Sequence, residues 1–226
     1  MALAALPRRD AAAREHLDSV ARRAQPLILA RDRAVPLSSS LAGLVPDGVV
    51  VRGSVLRVAG EPGAGSTTLA FELAAAVTAL GEWAAAVDFD GTLGALAARE
   101  AGVALERFAV VRRVPPARWA TVVAALLDGV SLVVAEVPRG VGLGDARRLV
   151  ARAREREAVL VAWEGRGSSW PAGATFAVHA DGSTWDDQTW DDHESAGFLT
   201  GRRLQVRVEG RGAATRPRLG ELARAG

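Results

Sequence analysis

The stretch 60-GEPGAGSTT-68 decides the fold, because it places a glycine-rich turn between an apolar run and a helix-like segment. The pattern G-x-x-x-x-G-K-[ST] of phosphate-binding loops is met at Gly60, Gly65 and Thr67. Ser66 stands where that pattern has the lysine that reaches the β- and γ-phosphates. The stretch therefore predicts a strand, a phosphate-loop-like turn and a helix, without the cation of a working nucleotide site.

The loop still has the other parts of a phosphate cradle. In such loops, glycines let backbone N–H groups curl around the phosphates, the helix directs its positive end at them, and Ser or Thr binds magnesium. The loss of lysine removes a charge-assisted contact of about 1.5–3 kcal/mol. Three outcomes stay open: a turn kept for folding alone, weak binding of ATP and magnesium through Thr67, or hydrolysis. The candidate cofactor-binding residues are Gly60, Gly63, Gly65, Ser66, Thr67 and Thr68.

The composition limits what could replace the missing lysine. The sequence has no lysine, so all 28 basic residues are arginine and any substitute cation must be an arginine. The net charge is only +2, and few groups titrate between pH 8 and 12, so the pI of 10.6 is weak evidence for nucleic-acid binding. With no cysteine and three scattered histidines, we expect no metal site besides a magnesium at Thr67. We expect a cytoplasmic protein without a membrane span.

Short apolar runs alternate with amphipathic segments over most of the chain, which predicts an α/β fold with a mainly parallel central sheet flanked by helices. Residues 1–40 are predicted to form an N-terminal helical arm and linker, and residues 41–226 the core domain. Clean alternation in Arg203–Glu209, followed by a turn and possible last strand within Gly210–Arg218, predicts antiparallel edge strands at the C-terminal end.

The predicted parallel strands are Ser54–Ala59, Ala84–Phe89, Arg107–Arg112, Ser131–Glu136 and Ala158–Trp163. Helices are predicted at a Leu69, Leu73, Val77 and Leu80 stripe, from Leu93 to Glu100, after Pro115–Pro116, and from Asp145 to Glu157.

Two segments are candidates for partner binding. In the arm, Leu17 and Val20 share a helix face, and Leu27 and Ile28 belong to an apolar string; the alternative is a helix packed on its own core. The repeat TWDDQTWDD, residues 184–192, is predicted to be a surface loop. Its tryptophans, Trp185 and Trp190, favour a protein contact, since acidic neighbours repel DNA. A loop without a partner is equally compatible with the repeat.

Three stretches in this order resemble the ATPase core of the RecA recombinase superfamily: GEPGAGSTTLAFELAAAV, AAAVDFDGTLGALAAREAGVALERFAVV and LLDGVSLVVAEVP. The resemblance covers roughly residues 41–218. Within the superfamily, the sequence is most similar to ImuA-prime proteins, the shortened RecA-like accessory factors of the mutagenic DNA-damage (SOS) response in actinobacteria. The similarity lies in the composition rich in Arg and Ala, the degenerate loop and the closing GRGAATRPR. The fold implied is a RecA-like P-loop core.

The resemblance also matches two carboxylates of this sequence to catalytic positions of the family. Asp90 falls where RecA-like ATPases keep the catalytic glutamate, and Glu136 falls where they keep the magnesium-associated aspartate. Together with Ser66, three catalytic positions depart from the family, which is hard to reconcile with in-line phosphoryl transfer. We therefore expect a pseudo-ATPase with no catalytic residues. The alternative is that Asp90 and Glu136 are simply polar strand ends.

The resemblance implies partners as well. The segments PRGVGLG and EGRGSSWPAG are too short for the two DNA-binding loops of recombinases, so strand exchange is not expected. The implied partners are an ImuB-like relative of the Y-family polymerases and an error-prone C-family polymerase, in translesion synthesis. Nonspecific DNA contact would use Arg139, Arg166 and the C-terminal arginines Arg207, Arg211, Arg216 and Arg218; the alternative, which is the commoner explanation of such residues, is a solvated arginine face. The alternative function is an ATP-dependent DNA-binding RecA paralogue in recombination and repair, in which an arginine replaces the loop lysine.

Overall fold

The computed structural model describes residues 33–188, 198–210 and 216–225. The chain divides into two units, Met1–Ala34 and Val35–Gly226, and the second contains the sheet. Val35 and Leu41, in or next to the predicted linker, are buried in the core of this second unit. The following partner-binding candidates lie outside the described residues: Leu17, Val20, Leu27, Ile28 and Trp190.

The described residues form a mainly parallel sheet flanked by helices. The strands are β1 (Ala34–Pro36), β2 (Val49–Val51), β3 (Val55–Gly60), β4 (Ala84–Asp88), β5 (Phe108–Arg112), β6 (Leu132–Val137), β7 (Val159–Glu164), β8 (Phe176–Gln188), β9 (Phe198–Gly210) and β10 (Arg218–Ala225). The helices are α1 (Ser39–Ala42), α2 (Ser66–Thr78), α3 (Ala95–Glu100), α4 (Pro116–Leu127) and α5 (Leu143–Arg156), with 3-10 turns at Pro46–Gly48 and Leu105–Arg107. None of these described helices is long and apolar enough to cross a bilayer.

The main sheet has the strand order β10-β9-β8-β3-β7-β6-β4-β5. Neighbours from β8 to β5 are parallel, whereas β9 and β10 are antiparallel to their neighbours. This arrangement confirms the predicted α/β fold with a mainly parallel sheet and antiparallel edge strands. A separate pair is formed by β1 and β2.

The inner strands β4, β6 and β7 of the sheet are mostly apolar, with one carboxylate near the carboxyl end of each, and the sheet is covered on both faces. Every residue of β4, β6 and β7 is buried, as expected for parallel strands between two helical layers. On one face, Leu69 and Leu73 of α2 pack in one apolar cluster. On the other, Trp119 of α4 and Leu149 of α5 belong to a second cluster. This double covering holds the carboxyl ends of the strands in fixed positions.

Three details differ from the prediction. The first TWDD copy, predicted as a loop, lies within strand β8, because its backbone pairs with β9 from Phe176 to Gln188. The last strand runs over Arg218–Ala225, after the segment where we expected it, because β9 itself continues to Gly210. Leu80, predicted on the α2 stripe, lies beyond the helix end and is 47% exposed.

Candidate functional site

The glycine-rich loop lies at the carboxyl edge of the parallel strands, where ligands bind in open α/β sheets. It joins β3 to α2, as the sequence predicted. Gly65 is the N-cap of α2 with a φ of 110°, and Gly63 has a φ of 85°. These left-handed conformations strongly favour glycine, so the two glycines are required by the backbone itself.

The hairpin of β8 and β9 lies directly against this loop. A Cβ atom on Gly60 would be 2.8 Å from the Ala180 carbonyl oxygen, and one on Gly65 would be 2.4 Å from Leu204 Cδ2. A Cβ on Gly63 would meet nothing within 4 Å. The loop is therefore packed on its hairpin side and open around Glu61, Pro62 and Gly63.

Ser66, at the lysine position, is bonded to the neighbouring strand. The indole Nε1 of Trp163, in β7, donates a hydrogen bond to Ser66 Oγ at 3.2 Å. Trp163 is only 6% exposed, so this bond is largely shielded from water. Thr67 and Thr68, in the same first turn of α2, are half-buried. The position that carries a cation in phosphate loops is therefore occupied here by a neutral hydroxyl that accepts a hydrogen bond from Trp163.

A cation does reach the loop, but from β9. Nη2 of Arg202 donates to the carbonyl oxygen of Gly63 at 2.5 Å and to Ser183 Oγ at 3.0 Å. Ser183 Oγ donates to the same Gly63 carbonyl at 3.1 Å. The Arg202 guanidinium also lies 4.7 Å from the ring centroid of Trp185. Arg202, Ser183 and Trp185 thus form a clamp on the loop, which we call the hairpin clamp.

The environment of Arg202 is unusual for an arginine of this chain. Burial lowers the pKa of Arg202, and its buried Nε has no hydrogen-bond partner among the described atoms. Arg203, which follows it on the opposite face of β9, pairs instead with Asp186. Sequence reasoning required an arginine substitute but did not identify Arg202. The alternation of Arg202 with the buried Leu204 and Val206 was the available signal, since it places Arg202 on the covered face.

The carboxylate that ends β4 is Asp88, which the sequence analysis missed in favour of Asp90. Asp88 is fully buried and accepts hydrogen bonds from the Thr92 N–H at 2.9 Å and the Leu93 N–H at 3.2 Å. Its Oδ2 also pairs with Arg112 Nε at 2.9 Å. Asp90 is exposed. Asp88 therefore fixes the turn after β4, and its signal in the sequence was a single charge at the end of the apolar run AAAVD.

Glu136, in β6, is 6% exposed and binds the segment after β4. Its Oε2 accepts hydrogen bonds from the Phe89 N–H at 2.7 Å and the Asp90 N–H at 3.1 Å. Burial raises the pKa of Glu136 above its ordinary value, with a smaller contribution from the charges of Asp90 and Asp88. The structure therefore brings Glu136 to the backbone of Asp90. One carboxylate oxygen of Glu136 is fully engaged in this contact.

A third buried carboxylate, Glu164, joins β3 to β7. Arg57 forms two hydrogen bonds of 2.9 Å with Glu164, whose Oε1 also accepts from the Trp170 N–H at 2.6 Å. The hydrogen bonds with Glu164 raise the pKa of Arg57. This pair holds the strand that leads into the glycine loop. Within the described ranges, no group of three or more histidine or carboxylate side chains is placed to hold a metal ion.

The fold and the loop together define an α/β protein with a strand–glycine loop–helix unit that resembles a phosphate loop but lacks its lysine. Residues 43–172 match the family model described as the MT3502 N-terminal domain, which is more than half of the chain. The chain therefore belongs to the MT3502 N-terminal domain family. The match includes the loop, Asp88 and Glu136, but ends before the hairpin clamp. Comparison with curated proteins finds no match.

Proposed function

We propose that this protein is a RecA-like pseudo-ATPase that acts as a protein-interaction accessory factor in damage-induced mutagenic translesion synthesis. The observation that carries the pseudo-ATPase part is the occupation of the loop by the chain itself. Trp163 binds Ser66, Leu204 packs on Gly65, and Arg202 binds the Gly63 carbonyl. A phosphate loop with these contacts has little room and no lysine for a triphosphate.

The carboxylates support the same conclusion about chemistry. Phosphoryl transfer depends on placing a metal ion and an attacking water within tight limits. Glu136 uses Oε2 to hold two backbone N–H groups, and Asp88 uses both oxygens in the same way. Asp90 is exposed and its backbone, not its carboxylate, faces Glu136. These groups stabilise the strand ends, which leaves them poorly suited to catalysis.

The proposed partners follow from the resemblance to ImuA-prime proteins: an ImuB-like relative of the Y-family polymerases and, through it, an error-prone C-family polymerase. One described feature supports a protein partner. Trp185 is 50% exposed although it lies on a strand, and aromatic side chains that combine with arginine are enriched in interface hot spots. The hairpin clamp therefore offers an anchor for another protein.

The alternative function is an ATP-dependent DNA-binding RecA paralogue, and Arg202 is the observation that favours it. An arginine already held at the loop could exchange the Gly63 carbonyl for a phosphate, since charged acceptors bind guanidinium more strongly. In that case, Arg202 would supply the cation that Ser66 cannot.

A titration with fluorescent ATP and magnesium separates the two functions. We expect neither saturable binding at micromolar concentration nor turnover. Magnesium-dependent binding with turnover that is lost in Arg202→Met and kept in Arg203→Met would establish the alternative. Arg203 is the matched control, because it is the adjacent arginine on the opposite face.

A pull-down with the ImuB-like protein tests the partner. The intact chain should retain it, and the comparison with a chain lacking residues 1–34 and with Trp185→Ala assigns the binding surface. Failure of the intact chain to retain the ImuB-like protein, under conditions where both proteins are folded, would reject the proposed partner.

A further inference from the structure

A cleft of about 570 Å³ opens at the carboxyl ends of β4, β6 and β7, separate from the glycine loop. Its volume falls in the range of small-molecule sites, and its position is where ligands bind in parallel sheets. Apolar walls come from Phe89, Pro116 and Pro138. The polar lining residues are Asp90, Glu136, Arg139, Arg166 and Ser168.

The deep polar group of the cleft is Glu136. Its Oε2 is held by the Phe89 and Asp90 N–H groups, and this fixes the direction of the carboxylate. The other oxygen, Oε1, lies 3.6 Å from the position of a Cβ atom on Gly165, on the cleft side. A buried carboxylate with one oxygen fixed and the other at a cleft is an acceptor for a charged donor, because burial penalises an unpaired charge.

The rim of the cleft carries the opposite charge. Arg139 and Arg166 are exposed, and Nε and Nη2 of Arg139 donate to the Arg166 carbonyl oxygen at 3.3 and 3.2 Å. This contact joins the segment after β6 to the segment after β7 and leaves Nη1 of Arg139 without a described partner. Two guanidinium groups at the rim favour an anionic group there.

The floor of the cleft, between Glu136 and the two rim arginines, carries no side chain at position 165 because this residue is glycine. A Cβ atom on Gly165 would lie in ordinary contact distance of Glu136 Oε1 and Ser168 Oγ, at 3.6 and 4.0 Å. The backbone of Gly165 is not among those with positive φ, so its conformation does not require glycine. Space for a ligand, rather than backbone strain, is what the absent side chain provides here.

We propose that this cleft binds a small zwitterion of the ω-amino-acid type, with its ammonium group on Glu136 and its carboxylate at Arg139 and Arg166. The deep negative charge, the apolar walls and the positive rim each match one part of such a ligand. No residue from Gly60 to Thr68 lines this cleft, so the proposal is independent of nucleotide binding and of the proposed polymerase partners.

Three probes of similar size test the proposal: 6-aminohexanoate, hexylamine and hexanoate. Binding is measured by calorimetry and by the shifts of the Gly165 and Ser168 amide signals in a nitrogen–proton NMR spectrum. We expect 6-aminohexanoate to bind at least about tenfold more tightly than either half-probe, which corresponds to about 1.4 kcal/mol for the added ion pair. Equal affinities of 6-aminohexanoate and hexylamine, or no shift with any probe, would overturn the proposal.

Variants assign the two ends of the ligand. Glu136→Gln keeps an oxygen for the Phe89 and Asp90 N–H groups and should reduce the affinity for 6-aminohexanoate to that for hexanoate. Arg139→Gln should reduce it to that for hexylamine. Gly165→Val fills the floor, in contact with Glu136 Oε1 and Ser168 Oγ, and should abolish the binding of all three probes. Arg147→Gln, an exposed arginine of α5 outside this cleft, is the control that should bind normally.

Each variant is first shown to be folded by circular dichroism and its thermal midpoint. If Glu136→Gln does not fold, Gly165→Val and Arg139→Gln still decide the question. Unchanged binding of 6-aminohexanoate by folded Gly165→Val would place the ligand elsewhere and reject the cleft.

Discussion

The indole Nε1 of Trp163 lies 3.2 Å from Ser66 Oγ, so the residue that replaces the loop lysine is hydrogen-bonded to the adjacent parallel strand. A lysine at this position would direct its amine away from the protein toward a phosphate. The serine hydroxyl instead satisfies a buried donor. Ser66 therefore offers no cation to a phosphate and makes a contact that stabilises the fold.

Loss of this hydroxyl should reduce stability. In Ser66→Ala, the Trp163 N–H loses its acceptor in a buried position, which costs about 1–3 kcal/mol of the free energy of unfolding. Ser66→Thr keeps the hydroxyl and is the control, with a much smaller expected loss. Urea denaturation of the three proteins measures the difference. Equal stability of Ser66→Ala and Ser66→Thr would show that the bond contributes nothing.

Substitutions of Arg202 and of Arg203 should have different effects on the glycine loop, although the two residues are adjacent. Arg202→Met removes the contacts with the Gly63 carbonyl, Ser183 and the Trp185 ring, so the Ala64 amide, which donates to the Glu61 carbonyl in this turn, should exchange hydrogen faster and the fluorescence of Trp185 should change. Arg203→Met removes only an exposed ion pair, and such pairs contribute little. Hydrogen exchange and fluorescence of both variants test this difference. A similar response of the two variants would contradict the existence of the hairpin clamp.

The glycines of the loop should have unequal tolerance of substitution. Gly65→Ala combines a φ of 110° with a Cβ atom only 2.4 Å from Leu204, so it should shift β9 and cost well over the about 1 kcal/mol of backbone strain alone. Gly63→Ala has a φ of 85° but open space around its Cβ atom, so it should cost about 1 kcal/mol. Chemical denaturation gives both values. A larger loss for Gly63→Ala than for Gly65→Ala would be inconsistent with the packing of Leu204.

Glu136 should make stability depend on pH in the direction opposite to most carboxylates. Since burial raises its pKa in the folded state, the folded protein holds this proton more tightly than the unfolded chain. Its contribution is therefore fully present below about pH 4.3, the ordinary glutamate pKa, and is lost as the pH rises through the folded-state value. The free energy of unfolding of the natural protein, minus that of Glu136→Gln, should fall as the pH rises from about 4.3 through the folded-state pKa of Glu136. Denaturation at several pH values measures it, and a rise would mean that the two N–H bonds outweigh burial.

The parallel strands could be predicted from the sequence because each is a short, continuous apolar run that periodicity identifies. The strand predicted from Ala158 to Trp163, for example, is β7 with its ends displaced by a residue. The position of β3 between β7 and β8 was not predictable, since it depends on contacts between distant parts of the chain. The strand character of the first TWDD copy was hidden as well. That segment has no alternation of apolar and polar residues. Its extended conformation is stabilised by pairing with β9 and by the Arg203–Asp186 ion pair.

In the candidate site, too, local features could be predicted from the sequence, whereas contacts between distant residues could not. Gly60, Gly63 and Gly65 were identified from the loop pattern; positive φ makes glycine a local requirement at positions 63 and 65, whereas at position 60 the neighbouring Ala180 of β8 leaves no room for a side chain. Arg202 was not identified, because it meets Gly63 across a sequence separation of 139 residues and is one of many arginines. Asp90 was chosen over Asp88 from the resemblance, whereas burial distinguishes the two in the structure.

The paired strands β8 and β9, with β10 beside β9, extend past the end of β3 and carry Trp185 beyond the parallel strands. Strands joined by a ladder of backbone hydrogen bonds resist bending, so a load applied at this projecting end is transmitted to the turn beneath it. In a nucleotide-driven machine, the phosphate loop moves the surfaces that other proteins grip. In this protein, Arg202 and Ser183 join the hairpin to the Gly63 carbonyl, so a displacement of the hairpin end would displace the loop.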